Sequence, residues 1–99
     1  MNQYICSLTP ARPDMPENPT EEESALVASH FAYYTSLKDA GTLILAGRTM
    51  QKPYAGTLIF KAENDEQAAS IVHQDPAVEQ GVFTARIEPF SVALMNAPD

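Results

Sequence analysis

Apolar and polar positions change period several times along this chain, and each change marks an element. Asn2 to Leu8 (NQYICSL) is short, aromatic and β-branched, the pattern of a strand. Tyr4, Cys6 and Leu8 are apolar on one parity and Ile5 on the other, as in a central strand covered on both faces. Thr9 to Pro19 (TPARPDMPENP) has no period and holds four of the eight prolines, so it reads as a stiff extended loop that could overhang a pocket. From Thr20 to Gly41 the period becomes helical. Leu26, His30, Tyr33 and Leu37 follow at steps of four, three and four and share one face. Thr20 with Glu23 makes a capping box, Glu21 to Glu23 face the positive end of the macrodipole, and Gly41 can take the left-handed position past the end.

Strand signals return at Thr42 to Met50 (TLILAGRTM) and Thr57 to Ala62 (TLIFKA), joined by a hairpin loop containing Pro53 and Gly56. Gly47 within the first of these two strands predicts a bulge or a close approach to its backbone. Asn64 and Gln67 cap a second helix whose stripe is Ala68, Ile71 and Val72. Pro76 stops that helix, and Asp75-Pro76 opens a short helical turn ended by Gly81. A last strand is expected from Val82 to about Leu94. Its apolar parity shifts beyond Pro89, from Phe83, Ala85 and Ile87 to Phe90, Val92 and Leu94, which predicts a bulge there.

The order is β-α-β-β-α-β, so the predicted fold class is α+β: a ferredoxin-like four-stranded antiparallel sheet with its helices on one face. Residues 1–99 are expected to form a single domain, with 9–19 as a proline-rich loop and 90–99 as the strand end and tail. Two helices leave the other sheet face bare, and a second copy packed sheet to sheet would close it, so a homodimer is expected. A monomer with the proline-rich loop laid over that face is the alternative, although the loop has little apolar content.

Composition narrows the function classes. Six basic residues against thirteen acidic ones give a net charge of −7 with no basic cluster, which argues against a nucleic-acid partner. No apolar run is long enough to span a membrane, the N-terminus lacks a leader pattern, and Cys6 stands alone, so a cytoplasmic location is expected. His30 and His73 show no metal-ligand spacing with the acids, and no glycine loop would cradle a phosphate, so neither metal nor cofactor is expected.

Two segments carry a resemblance. HFAYYTSLKDAGTLILAG resembles the stretch of YciI-like proteins that opens on a histidine and closes on Gly-x-Leu-Leu-x-Ala-Gly, and DPAVEQGVFTARIEPF resembles their Asp-Pro segment ending in Pro-Phe. The resemblance covers the chain from the first strand through Phe90. It implies a dimeric α/β-barrel fold and an active site built on His30 and Asp75, with Gly47, Gly81 and Pro89-Phe90 as structural signature. The chain departs from the pattern at Arg48, where the family has Pro, and at Ala77, where an aromatic is usual. Ala77 should leave that wall of the pocket emptier.

His30, in mid-stripe, is the candidate general acid/base, and Asp75 the group that would fix its tautomer. The plainer accounts are a histidine bonded across the core and an aspartate that only caps a helix ahead of Pro76. Arg48 could hold a substrate carboxylate in a bidentate fork, or simply face solvent. Tyr33 could contact a ligand and is expected in the core beside His30, with Tyr34 more exposed. Cys6 reads as a small buried hydrophobe, and His73 as a partner of its helix dipole. Together these predict an enzyme that moves protons on a small anionic or lactone-like substrate, of isomerase, lyase or dehalogenase type. The alternatives are a non-catalytic module that binds a small metabolite and a dimer in which His30 is only core.

Overall fold

The computed structural model describes residues 1–96, and the last three positions of the expected tail lie outside them. Its elements run β1 (Asn2–Pro10), α1 (Glu21–Asp39), β2 (Leu43–Arg48), β3 (Gly56–Ala62), α2 (Asp65–His73), α3 (Pro76–Glu79) and β4 (Phe83–Phe90). All pairings are antiparallel in the order β2-β3-β1-β4, so β1 is central as expected. With the helices on one face, this is the predicted ferredoxin-like α+β arrangement.

Local chemistry sets the element ends. Thr20 Oγ1 accepts from the Glu23 amide at 3.1 Å while Glu23 Oε1 accepts from the Thr20 amide at 2.9 Å, which completes the capping box. Arg12 of the loop reaches the same Glu23 carboxylate and ties the loop to the helix start. At the other end Gly41 takes φ 81°, the Thr42 amide bonds the Leu37 carbonyl and the Gly41 amide bonds that of Lys38, a Schellman closure. The same closure ends α3, where Gly81 takes φ 79° and Val82 bonds back to Ala77. Two helix stops were therefore written as glycines.

Tyr4, Cys6 and Leu8 of β1 and Leu58, Phe60 and Ala62 of β3 point to the helices and form the main core with Tyr34, Ala68 and Val72. A smaller cluster lies under the loop, where Met15, Ala77 and Val82 pack with Leu26, Val27 and Phe83. On the face without helices, Leu45, Ile59 and Ile5 line up across three strands.

Several expectations are corrected. The last strand ends at Phe90, and its register against β1 runs unbroken through Pro89, so no bulge occurs there. Phe90 keeps the parity of Glu88 and lies on the face away from the helices, 40% exposed. The apolar residues beyond it belong to a segment without strand pairing, of which the Val92 amide bonds Gln3 Oε1 at 2.8 Å. The irregularity in β2 falls between Leu43 and Leu45, while Gly47 pairs regularly with Thr57 and has no atom within 4 Å of a notional Cβ. Tyr34 is buried and Tyr33 only half-buried, the reverse of the expected depths, because α1 is rolled so that residues 27, 30 and 34 face inward together with 26, 33 and 37.

Candidate functional site

His30 and Asp75 lie 45 residues apart in the chain, and the packing of α1 on α3 brings them together. His30 Nδ1 is 2.6 Å from Asp75 Oδ2. The aspartate is held by its capping role: its Oδ1 accepts from the Ala77 amide at 2.9 Å, and Pro76 fills the first helical position. Capping and contact with the histidine therefore use different oxygens of one carboxylate. Asp75 is wholly buried, whereas the His30 side chain keeps 18% of its exposure. An ionised Asp75 can only accept, so the Nδ1 that faces it is the donor, and in a neutral imidazole Nε2 is then the nitrogen without a proton.

Two rings hold the imidazole. Tyr34 stands edge-on at 5.0 Å between centroids and Phe83 is tilted at 5.1 Å. The Tyr34 hydroxyl is buried without a hydrogen-bond partner among the described residues, and burial, with the Asp75 charge nearby, pushes its pKa up. Cys6 lies in the same core, and burial raises its thiol to about 11. It is the small buried hydrophobe expected.

His30 lines a cleft of about 580 Å³ between α1, the proline-rich loop and the ends of β1–β3, a volume typical of small-molecule sites. Arg48 lines it as well. The guanidinium belongs to an exposed residue with no hydrogen-bond or carboxylate partner among the described residues. Tyr33 is placed elsewhere. Its hydroxyl donates to the Ile71 carbonyl at 2.5 Å, and it is not part of the cleft wall, because its step along α1 points it at α2. His73 ends α2 and is exposed.

Met15 is a site residue that the sequence pattern does not mark. It is 4% exposed and packs on Ala77, so the wall expected to be empty opposite Ala77 is filled from the loop. A lone methionine among prolines carries no periodic signal that would have marked it. The loop is also fastened to the β2–β3 connection: Glu17 accepts from Tyr54 Oη at 3.1 Å and pairs with Lys52 Nζ at 3.2 Å. A smaller hollow of about 410 Å³ is lined by Pro13, Asp14, Lys52 and Pro53 among others, and among the described residues no histidine lines it. His30, the partner of Asp75, lines the larger cleft.

The family model of the YCII-related domain matches residues 4–91. The chain belongs to that family. Among solved structures, it is similar to the 5-chloro-2-hydroxyhydroquinone dehydrochlorinase TftG of Burkholderia phenoliruptrix AC1100 in complex with 2,5-dihydroxybenzoquinone. The TM-score is 0.68 at 22% identity, over 89% of this chain and 93% of that one, a likeness of fold. No curated protein matches in sequence. Among the described residues no helix is long and apolar enough to cross a membrane, and no group of three or more His, Cys, Asp or Glu side chains could hold a metal.

Proposed function

We propose that this YCII-domain protein is a homodimeric enzyme that transfers a proton on a small anionic or lactone-like substrate without a cofactor, in an isomerase, lyase or dehalogenase type of reaction. The observation that carries the reading is the 2.6 Å contact between His30 Nδ1 and a wholly buried Asp75, beside a cleft of substrate size. Nε2 of His30 takes a proton from carbon. The electron pair left behind either expels a leaving group from the neighbouring carbon or is reprotonated elsewhere, and the imidazolium is stabilised by Asp75. Arg48 holds an anionic group of the substrate. That the structurally similar TftG is a dehydrochlorinase supports the lyase or dehalogenase branch. The dimer is supported by the apolar row Leu45, Ile59 and Ile5 on the sheet face that no helix covers.

A panel of compounds tests this directly. Small carboxylic acids, halogenated acids and lactones are incubated with the protein in D2O, and loss of carbon-bound protons is followed by 1H NMR. The wild type should exchange or convert at least one compound. Asp75→Asn should keep the cap to Ala77, turn His30 to the Nε2-protonated tautomer, visible in its 15N shifts, and lose most of the rate. If compounds bind but none exchanges or reacts, the site is a binding module. Sedimentation equilibrium, with Ile5→Lys as the disrupting variant, tests the dimer.

A further inference from the structure

The distribution of charge around the cleft narrows its ligand further than acid–base chemistry does. The chain carries thirteen acidic side chains, yet among the described residues none that lines the cleft is an aspartate or glutamate. Asp75 is wholly buried behind His30 with both oxygens occupied, and Glu17, bonded to Tyr54 of the wall, is paired with Lys52. The charged residue that does line the cleft is Arg48.

Arg48 also differs from the other two arginines. Arg12 is paired with Glu23 and Arg86 with Glu88, whereas Arg48 has no carboxylate partner among the described residues. Its cross-strand neighbour on β3 is Gly56, which offers no side chain to cover the guanidinium. In so acidic a protein an arginine without an acid beside it is a charge available to a ligand.

The remainder of the wall is mainly apolar. Met15, Val27 and Leu58 contribute to it, and so does Phe31, one step along α1 from His30. Phe31 is 74% exposed, a large ring that a bound apolar group would cover.

We infer that the cleft selects a monocarboxylate with an apolar, ring-sized body, its carboxylate on Arg48 and its body against Phe31, in preference to a neutral lactone or a phosphate ester. This rests on the acid–base reading for which site is meant, and decides between the substrate classes that reading leaves open. A neutral ligand would leave the guanidinium covered and unpaired, which costs more than the lost contact alone. A phosphate dianion would bring two negative charges to a single cation on a protein of net charge −7. One planar carboxylate matches the two parallel donors of one guanidinium.

Four probes separate the contributions, with binding followed by 15N–1H spectra and calorimetry on the intact protein: benzoate, benzamide, acetate and phenyl phosphate. Benzoate should bind most tightly and shift the amides around Arg48 and Phe31. Arg48→Gln should weaken benzoate about tenfold or more, in line with loss of a charge-assisted pair, and leave benzamide unchanged. Phe31→Ala should weaken benzoate but not acetate. Both positions are exposed, so both variants should fold, and melting curves check that they do. Benzamide or phenyl phosphate binding as well as benzoate, no effect of Arg48→Gln, or no binding of benzoate up to its solubility limit would each overturn the inference. Failure of the proton-transfer reading looks different: benzoate binds as described, and no compound of the D2O panel exchanges.

Discussion

The Tyr34 hydroxyl offers the sharpest energetic test. Its side chain is 4% exposed, packed between the His30 ring and the sheet, and the hydroxyl meets no partner among the described residues. A buried hydroxyl without a hydrogen bond costs about 1–3 kcal/mol relative to water. Tyr34→Phe removes that cost and leaves a gap of one oxygen atom, whose lost packing offsets a fraction of the gain. The net expectation is a stabilisation of about 1 kcal/mol, which in a domain of this size raises Tm by roughly 4–8 °C. Calorimetry or circular dichroism at neutral pH measures it, with wild type and variant at the same protein concentration so that association does not enter. Burial and the Asp75 charge hold the phenol protonated throughout that range, so ionisation does not confuse the comparison. A fall in Tm of similar size would refute the reasoning. It would mean that the hydroxyl is satisfied, and that the hydrogen-bonded site extends past His30 and Asp75 to Tyr34.

Two further outcomes follow from the charge and burial of other groups. Glu23 is held down to about 2 by Arg12 and by the Thr20 amide, from an ordinary 4.5. Its folded pKa is depressed, so its contribution is present above the unfolded value and is lost as pH falls from about 4.5 through about 2. Chemical denaturation across that window should show a shallower acid decline in Glu23→Gln than in wild type, and an unchanged slope would remove Glu23 from the account. Cys6 is fully buried with its thiol raised to about 11, so at neutral pH it should ignore Ellman's reagent until the chain unfolds. Rapid labelling of the native protein would show that β1 opens far more readily than its central position allows.

How much of this was legible in the chain depended on how local each determinant is. The capping box at Thr20, the left-handed glycines at 41 and 81, and the Asp75-Pro76 cap are set within a few residues, and all were readable. So was the element order, because each change of hydrophobic period coincides with a cap or a turn. The relative depths of Tyr33 and Tyr34 are not legible, because both belong to a wide helical stripe. Which of two neighbours goes deeper depends on how α1 is rolled against the sheet, and no local pattern records that roll. The parity shift at Pro89 misled for a related reason: Phe90 is apolar on the uncovered face, so an intact strand imitates a bulged one. His30 and Asp75 could each be singled out in the sequence. Their contact across 45 residues, and the filling of the Ala77 wall by Met15, are products of tertiary packing.

That contribution of Met15 separates the parts of the cleft by how freely they can vary. His30 stands on α1 and Asp75 caps α3, so Asp75 cannot be lengthened without losing a cap. The wall beside them comes from a surface loop, where sequence change is tolerated best. The cleft is modular: exchanging the segment around Met15, together with a compensating residue at 77, would reshape the cavity while His30 and Asp75 stay where they are. A protein built in this way can change what its cleft accepts by loop replacement, without rebuilding the frame that holds His30 and Asp75.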